Sequence, residues 1–176
     1  MYKRQVLADE EFIKERMLKF YRQTGPTISP FNAWVLMKSL ETIALRVERQ
    51  AENAAAIAGW LEGRPGVVKM RYPGLESHPQ HALARRQMSN GGTLLAFTVG
   101  GGRQAAFKAL NALKLIDISN NLGDSKTLAC HPASTTHSSV GAAERADMGI
   151  DEGSIRISVG LEDVEDLKAD LDTALA

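Results

Sequence analysis

The sequence predicts an α/β protein of the α+β kind, in which helices cover one face of an antiparallel or mixed sheet. Two observations support this prediction. After Pro65, short apolar runs suited to strands alternate with segments of helical period. Several of these strands have one polar face, which favours an antiparallel or mixed sheet over a doubly wound parallel one. A long helix before the sheet completes the predicted fold.

The first predicted element is an amphipathic helix over residues 1–25, in which apolar residues recur at helical spacing from Val6 to Phe20. A loop follows and leads into a second helix. We expect Ser29 to cap that helix, because a serine hydroxyl at this position accepts a main-chain N–H. Pro30 would then occupy the first helical position, where the missing N–H costs no hydrogen bond.

The second predicted helix is unusually long. Apolar positions from Phe31 to Leu61 keep a helical period until Gly63 and Pro65 end it. If it is unbroken over residues 30–63, it is about 48 Å long at about 1.5 Å per residue. A helix of this length bridges two domains, or packs on a partner, more often than it covers one small core.

The elements after residue 63 alternate along the chain. The predicted strands are 67–72, 92–99, 115–119, 126–130 and 154–160. The predicted helices lie around 79–88, at 102–113, at 141–148 and from Asp163 onward. We therefore expect one layered domain in this part of the chain.

The composition is that of an ordinary globular protein. Of 176 residues, 44% are hydrophobic and 24% are charged, and the formal net charge is +0. Lys and Arg are spread along the chain, so we expect no nucleic-acid partner. No apolar run reaches the roughly 18 residues that cross a membrane, and the start lacks the apolar core of a signal peptide. We expect a cytoplasmic protein, and a single cysteine agrees with a reducing compartment.

All four histidines and the single cysteine lie in two short segments, "HPQH" at 78–81 and "CHPASTTH" at 130–137. A zinc site would show ligands at short, regular spacings, which these segments lack, so we predict no metal site. Cys130 ends a predicted strand, and we expect a small buried hydrophobe there. The adjacent His131 would point to the opposite face of the strand and would serve Cys130 poorly as a base.

Arg156 lies inside a predicted strand, between Ile155 and Ile157, whose side chains would point to the opposite face. A guanidinium on an inner strand requires an anionic partner. The sequence leaves two alternatives open. One is an ion pair within the chain, with Glu162, Asp163 or another nearby acid, and the other is a bidentate clamp on the carboxylate of a ligand.

Four segments form a recognisable series, namely "GPTISPFNAWVLMKSLETIALRVERQAENA", "RYPGLESHPQHALARRQM", "ISNNLGDSKTLACHPASTTH" and "DEGSIRISVGLEDVEDLKADL". Together they resemble the C-terminal part of the pyridoxal-phosphate-dependent enzymes of cysteine and methionine metabolism. That trans-sulfuration family includes cystathionine synthases and lyases, methionine lyases and homoserine sulfhydrylases. The segments "SPFNAW" and "SNNLGD" are most similar to the O-succinylhomoserine sulfhydrylases.

The resemblance implies the C-terminal domain of the fold-type-I pyridoxal-phosphate enzymes, whose chains are much longer than this one. We accordingly expect residues 1–29 to be the end of the large cofactor-binding domain, 30–63 a connecting helix and 64–176 the small domain. The start of the chain in mid-fold leads us to expect a fragment. For the full-length enzyme, the resemblance implies a homotetramer.

The resemblance also assigns site residues. Arg156 matches the family arginine that grips the α-carboxylate of the substrate, and Asn121 begins the segment that lies beside that carboxylate. Many relatives have serine at the position of Asn121, so a side-chain contact is left open while a backbone contact would survive. The Schiff-base lysine of the family belongs to a motif upstream, so we predict no catalytic or cofactor-binding residue here. Lys126 in "SKT" is expected to be an exposed strand residue.

The reaction implied for the whole enzyme is the elimination of succinate from O-succinylhomoserine on pyridoxal 5'-phosphate. Addition of sulfide then gives homocysteine for methionine biosynthesis. We expect this chain to contribute the carboxylate clamp and to be inactive alone. Two alternatives stay open: a fragment of a cystathionine γ-synthase or γ-lyase type enzyme, and a non-catalytic interaction module that docks on a full-length relative.

Overall fold

The computed structural model describes residues 6–176. They belong to two compact units, one that ends at Thr42 and one that spans Ile43–Ala176. No helix within the described residues combines the length and the apolarity needed to cross a membrane.

The first unit is helical. It contains α1 (Glu10–Phe12), a π-helical segment (Ile13–Met17), α2 (Leu18–Thr24) and α3 (Pro30–Leu40). The side chain of Asp9 caps α1 by accepting the N–H of Phe12 at 2.7 Å. The helix predicted over residues 1–25 is thus confirmed from Glu10 onward, and the prediction for residues 1–5 lies outside the described chain.

The helix α3 depends on its cap more than on burial. The hydroxyl of Ser29 accepts the N–H of Asn32 at 3.2 Å, and Pro30 begins the helix, as predicted. No residue of α3 is buried within the described chain. Its large apolar side chains, such as Phe31 and Met37 at 68% and 67% exposure, contact little of the first unit.

The continuous helix predicted over residues 30–63 is not confirmed. A turn at Glu41 and Thr42 separates α3 from α4 (Ile43–Leu61). The hydroxyl of Ser39 donates to the carbonyl of Val35 at 2.8 Å, a type of bond that bends helices. The apolar period of the sequence continues across the turn. Such a period shows the spacing of apolar residues but not whether the main-chain hydrogen bonds of a helix are formed, so it does not reveal the turn.

The second unit contains a mixed sheet of five strands. The strands are β1 (Val67–Arg71), β2 (Leu94–Val99), β3 (Asp117–Ile118), β4 (Leu128–Cys130) and β5 (Ser154–Ser158). The remaining elements are α4, α5 (His81–Gln87), α6 (Gly102–Ala112), a 3-10 turn (Pro132–Ser134), α7 (Ala142–Asp147) and α8 (Val164–Ala174). Every strand and helix predicted after residue 63 is confirmed in type, with β3 and β4 shorter than expected.

The strand order is β1-β2-β5-β4-β3. Neighbouring strands are antiparallel except β3 and β4, which are parallel. The predicted antiparallel or mixed sheet is therefore confirmed, and β5 is its central strand.

The core lies between one face of the sheet and the helices α4, α6 and α8. Fully buried helix residues such as Ile57 and Leu167 share this core with Ile155 and Ile157 of β5, which are 2% and 0% exposed. Because side chains alternate along a strand, the residue between these two isoleucines, Arg156, projects from the face opposite the helices.

Candidate functional site

Arg156 occupies the middle of the central strand, as the sequence predicts. Its cross-strand neighbours are Ala96 in β2 and Cys130 in β4. Both neighbours have small side chains, so this row of the sheet leaves room for the long arginine side chain. The isoleucines on either side of Arg156 in the sequence are in the core, which confirms the predicted alternation.

The guanidinium of Arg156 is held by main-chain carbonyl groups. Its Nη2 donates to the carbonyl of Asn120 at 2.8 Å and to that of Asn121 at 3.2 Å. Its Nε is buried and has no hydrogen-bond partner among residues 6–176. Nothing in that range forms an ion pair with Arg156. The arginine is therefore positioned while its charge stays uncompensated.

The two acids considered as partners of Arg156 make other contacts. Glu162 accepts the N–H of Thr127 at 2.7 Å and its hydroxyl at 2.8 Å. Asp163 accepts the N–H of Glu165 at 2.8 Å and caps α8. The internal ion pair, one of the two alternatives open from the sequence, is thus not formed in the described chain. The other alternative, an external anion, is compatible with the geometry.

The loop of residues 119–126 is fixed from two sides. The N–H of Gly123 donates to the hydroxyl of Ser158 in β5 at 2.9 Å. The side-chain amide of Gln50 in α4 donates to the carbonyl of Asp124 at 2.6 Å. Gly123 has a φ of 80°, a conformation that side chains disfavour. The carbonyl groups that hold Arg156 therefore belong to a loop anchored on both the sheet and a core helix.

Asp124 also closes this loop on itself. Its carboxylate accepts the N–H of Lys126 and the hydroxyl of Ser125, each at 3.3 Å. The hydrogen bond from the Lys126 N–H is the main cause that lowers the pKa of Asp124. At neutral pH the Asp124 carboxylate is therefore an anion that is already hydrogen-bonded within its own loop.

Asn121 contacts Arg156 through its main chain. Its carbonyl accepts from the guanidinium, and its N–H donates to the hydroxyl of Ser119 at 3.2 Å. The side chain is exposed and forms no hydrogen bond within the described chain. A ligand that accepted the Asn121 N–H would compete with the Ser119 hydroxyl for that hydrogen bond. The side-chain amide of Asn121 is free to bind a ligand without such competition.

The described lysines do not fit the setting that a cofactor-bound lysine requires. A lysine that forms a Schiff base at neutral pH must lose its proton, which burial promotes. None of the lysines in residues 6–176 is buried. Lys126 is exposed, as expected, but precedes β4 rather than lying in it, and its ammonium pairs with Asp117 at 3.3 Å. None of the lysines in residues 6–176 therefore has the buried setting that suits attachment of pyridoxal phosphate.

Cys130 and the adjacent His131 are both buried. Cys130 is 1% exposed, and it lies opposite Arg156 in a cross-strand row of the sheet. His131 points the other way, where its ring packs edge-on against Phe107 with centroids 5.0 Å apart, and its Nε2 donates to the carbonyl of Glu152 at 2.8 Å. Residues 6–176 contain no group of three acidic, histidine or cysteine side chains that could hold a metal ion.

Sequence reasoning missed Arg71. A cavity of about 220 Å³ is lined by both Arg71 and Arg156, with Pro132, His137 and the segment 148–150 forming other parts of its wall. Strand alternation in "VVKMR" gives the face of Arg71 but not the strand that it neighbours. The sequence does show a second arginine on a short strand. Only the pairing register of the strands shows that this arginine lies in the same row as Arg156.

Comparison with known proteins agrees with this fold. The family described as "Cys/Met metabolism PLP-dependent enzyme" matches residues 5–176. The O-succinylhomoserine sulfhydrylase of Mycobacterium tuberculosis is 51% identical over 175 residues, which cover 97% of this chain and 43% of the relative. The L-methionine gamma-lyase of Pseudomonas putida is 48% identical over 152 residues, 86% of this chain and 38% of that enzyme.

Solved structures show the same similarity. A crystal structure described as an O-acetylhomoserine (thiol)-lyase of Campylobacter jejuni contains N'-pyridoxyl-lysine-5'-monophosphate. It matches with a TM-score of 0.84 and 36% identity, over 96% of this chain and 40% of that one. The chain thus spans less than half the length of the relatives it matches. On the family match and the identity to these relatives, the chain belongs to the Cys/Met metabolism family of pyridoxal-phosphate-dependent enzymes.

Proposed function

We propose that this chain supplies the substrate-carboxylate clamp of a trans-sulfuration enzyme that converts O-succinylhomoserine and sulfide to homocysteine and succinate. The observation that carries the proposal is the state of Arg156. It is positioned on the central strand by two carbonyl groups and has no counter-ion among residues 6–176. A fixed cation of this kind is suited to the α-carboxylate of an amino acid.

The role of Arg156 in such a reaction is to hold and orient. A guanidinium offers donors in a planar fork that matches a carboxylate, so binding fixes both the position and the rotation of the substrate. Holding the α-carboxylate on a rigid strand would set the direction of the bonds at the α-carbon relative to the rest of the enzyme. Pyridoxal phosphate, when bound in the whole enzyme, supplies the electron-withdrawing chemistry.

The similarity to known enzymes favours the sulfhydrylase reaction over the other reactions of the family. The M. tuberculosis protein with 51% identity is named an O-succinylhomoserine sulfhydrylase. A γ-lyase type reaction is the second candidate, and the P. putida enzyme at 48% identity favours it. Both reactions use amino-acid substrates, so the clamp proposed for Arg156 is common to the two candidates.

We further propose that the chain alone does not attach the cofactor and is therefore inactive. The absence of a buried lysine among residues 6–176 supports this proposal. Mixing the chain with pyridoxal phosphate should produce no visible absorbance band of a Schiff base. A borohydride-stable adduct on one defined lysine would contradict it.

The unburied apolar residues of α3 support a further part of this proposal. Phe31, Leu36 and Met37 are 68%, 57% and 67% exposed in the first unit. Exposed apolar patches of this kind mark surfaces that contact other protein. We propose that other protein covers α3 in the whole enzyme, with residues 1–29 in the cofactor-binding domain and the chains assembled as a homotetramer. A free interaction module would instead bind a full-length relative in a pull-down.

The proposed reaction can be tested with a chimera. The corresponding C-terminal segment of the M. tuberculosis relative is replaced by this chain, and homocysteine formed from O-succinylhomoserine and sulfide is measured. We expect turnover in the chimera and a large loss of kcat/KM when Arg156 is replaced by alanine. Arg85→Ala is the matched control, because Arg85 is exposed and has no hydrogen bond or ion pair in the described chain.

Two results would contradict the proposed function. A folded chimera that degrades methionine but does not form homocysteine would favour the γ-lyase candidate. A chimera in which Arg156→Ala leaves kcat/KM unchanged would show that the arginine does not hold the substrate.

A further inference from the structure

Arg71 and Arg156 flank one residue of the sheet. The register of β1 and β2 places Arg71 opposite Ala96, and the register of β2 and β5 places Arg156 opposite the same residue from the other side. Residues in one cross-strand row project from the same face. Since adjacent strands are about 4.8 Å apart, the two arginine Cα atoms are about 10 Å apart. In this row Ala96, whose side chain is a methyl group, lies between them.

Both side chains line the cavity of about 220 Å³. On the wall of this cavity, the guanidinium of Arg71 lies directly against Gly149, so that a Cβ at this position would overlap it. Gly149 also has a φ of 72°, which favours glycine. The local backbone thus leaves space for the charged end of Arg71 at the edge of the cavity.

The charge of Arg71 is uncompensated in the described chain. No hydrogen bond or ion pair joins Arg71 to another of residues 6–176. Lys69, which projects from the same face, differs because Asp151 pairs with it at 3.7 Å. An anionic ligand in the cavity would therefore meet two arginines without counter-ions, one on each side of Ala96.

We propose that Arg71 binds the second carboxylate of a substrate whose α-carboxylate is bound by Arg156, and so selects O-succinyl over O-acetyl esters of homoserine. This inference rests on the proposed function. The two esters differ in that the succinyl group ends in a carboxylate and the acetyl group in a methyl. Eight bonds separate the carboxylate carbons of O-succinylhomoserine, so the extended molecule spans about 10 Å with bonds of about 1.5 Å. This span is close to the Cα spacing of the two arginines, so two long side chains on this row could reach the two ends of the molecule.

The test is direct binding to this chain. Wild type, Arg71→Gln and Arg156→Gln are titrated with O-succinyl-L-homoserine and O-acetyl-L-homoserine by calorimetry, and the far-UV CD spectrum checks the fold of each variant. We expect wild type to bind the succinyl ester at least about tenfold more tightly, as one added charge-assisted hydrogen bond implies. Arg71→Gln should remove that preference, with a much smaller change in the affinity for the acetyl ester.

Arg85→Gln is the control and should retain the preference of wild type. Equal binding of the two esters by wild type, or an equal loss of both in Arg71→Gln, would overturn the inference and leave the Arg156 clamp intact. If neither ester bound to wild type, or if Arg156→Gln bound both as wild type does, the proposed function would fail together with the inference.

Discussion

Arg156 donates a hydrogen bond of 2.8 Å to the main-chain carbonyl of Asn120, and this contact anchors a cation that has no acidic partner in residues 6–176. Carbonyl oxygens satisfy a guanidinium donor without neutralising its charge. The arginine is consequently both oriented and attractive to anions, which is the combination that a carboxylate clamp requires.

Glu162 should contribute to stability by holding Thr127, the residue that follows the loop of residues 119–126. Its carboxylate accepts both the N–H and the hydroxyl of Thr127. Glu162→Gln replaces one accepting oxygen by a donor and leaves a donor of the buried Thr127 unpaired. We expect a loss of about 1 to 3 kcal/mol in the free energy of unfolding, measured by urea denaturation.

The control for this change is Glu165→Gln. Glu165 pairs with Lys168 at 2.7 Å, but its side chain is 73% exposed, so the expected loss is below about 1 kcal/mol. Equal losses in the two variants would show that Glu162 acts only as a surface charge.

Two glycines should respond to alanine in opposite ways. A Cβ at Gly91 would lie 2.5 Å from Cζ of the buried Tyr72 ring, whereas a Cβ at Gly59 in α4 meets nothing within 4 Å. Gly91→Ala should destabilise the protein by about 1 to 3 kcal/mol because the rigid ring must shift. Gly59→Ala should stabilise it by roughly 0.5 to 1 kcal/mol because glycine disfavours the helical state. Thermal unfolding of both variants measures the two stability changes. A Gly91→Ala variant more stable than wild type would contradict the close packing of Gly91 against the Tyr72 ring.

Tyr72 should make stability fall at alkaline pH. Burial raises the pKa of Tyr72, and its hydroxyl donates to the carbonyl of Gly92 at 3.0 Å. Because the folded protein keeps this proton to a higher pH than the unfolded chain, the contribution is present below about pH 10 and is lost as pH rises further. Tyr72→Phe should cost about 1 kcal/mol at neutral pH and show a shallower alkaline loss in urea denaturation.

Tyr21→Phe serves as the matched control at neutral pH. The Tyr21 side chain is 53% exposed, so its change should stay within about 0.5 kcal/mol of wild type. A Tyr72→Phe variant with the alkaline slope of wild type would contradict the assigned origin of that slope.

Glu152 should contribute to stability in the opposite pH range. A hydrogen bond from Arg103, and a weaker influence from Arg145, lower the pKa of Glu152. Its contribution is present above the pKa of the unfolded chain and is lost as pH falls through the lower pKa of the folded state. Between about pH 6 and about pH 3, Glu152→Gln should therefore lose less thermal stability than wild type does.

Glu144→Gln is the control for this prediction. Glu144 is exposed and forms no side-chain ion pair within the described chain. Its acid unfolding profile should follow that of wild type. Profiles for Glu152→Gln and Glu144→Gln that coincide would exclude the two arginines as the cause.

The orientation of Arg156 could be predicted from sequence, because its direct neighbours Ile155 and Ile157 mark the buried face of the strand. The lack of a counter-ion for Arg156 in residues 6–176 could not be predicted from sequence. Glu162 and Asp163 are close in sequence, yet their partners are the hydroxyl and main-chain groups of Thr127 and Glu165, which only the folded chain brings near. Local patterns give the face of a residue, whereas its partners depend on tertiary contacts.

Register explains why Arg71 was missed. Its strand and its face follow from alternation, but its position opposite Ala96 depends on how β1 pairs with β2, including an irregularity between Val67 and Lys69. The unbroken helix predicted over residues 30–63 was not confirmed, for a related reason. An apolar period continued through the turn at Glu41 and Thr42, where main-chain geometry rather than composition ends the helix.

The central proposal, that Arg156 binds a substrate carboxylate, is tested most directly by NMR on its buried Nε–H. The ¹⁵N-labelled chain is titrated with O-succinyl-L-homoserine and with the same compound carrying an α-carboxamide, and Arg156→Lys assigns the resonance. We predict that only the carboxylate shifts the Nε–H signal and that Arg156→Gln loses about 2 to 5 kcal/mol of binding free energy. Equal shifts with both compounds, or an unmoved Nε–H signal at saturation, would contradict the proposal.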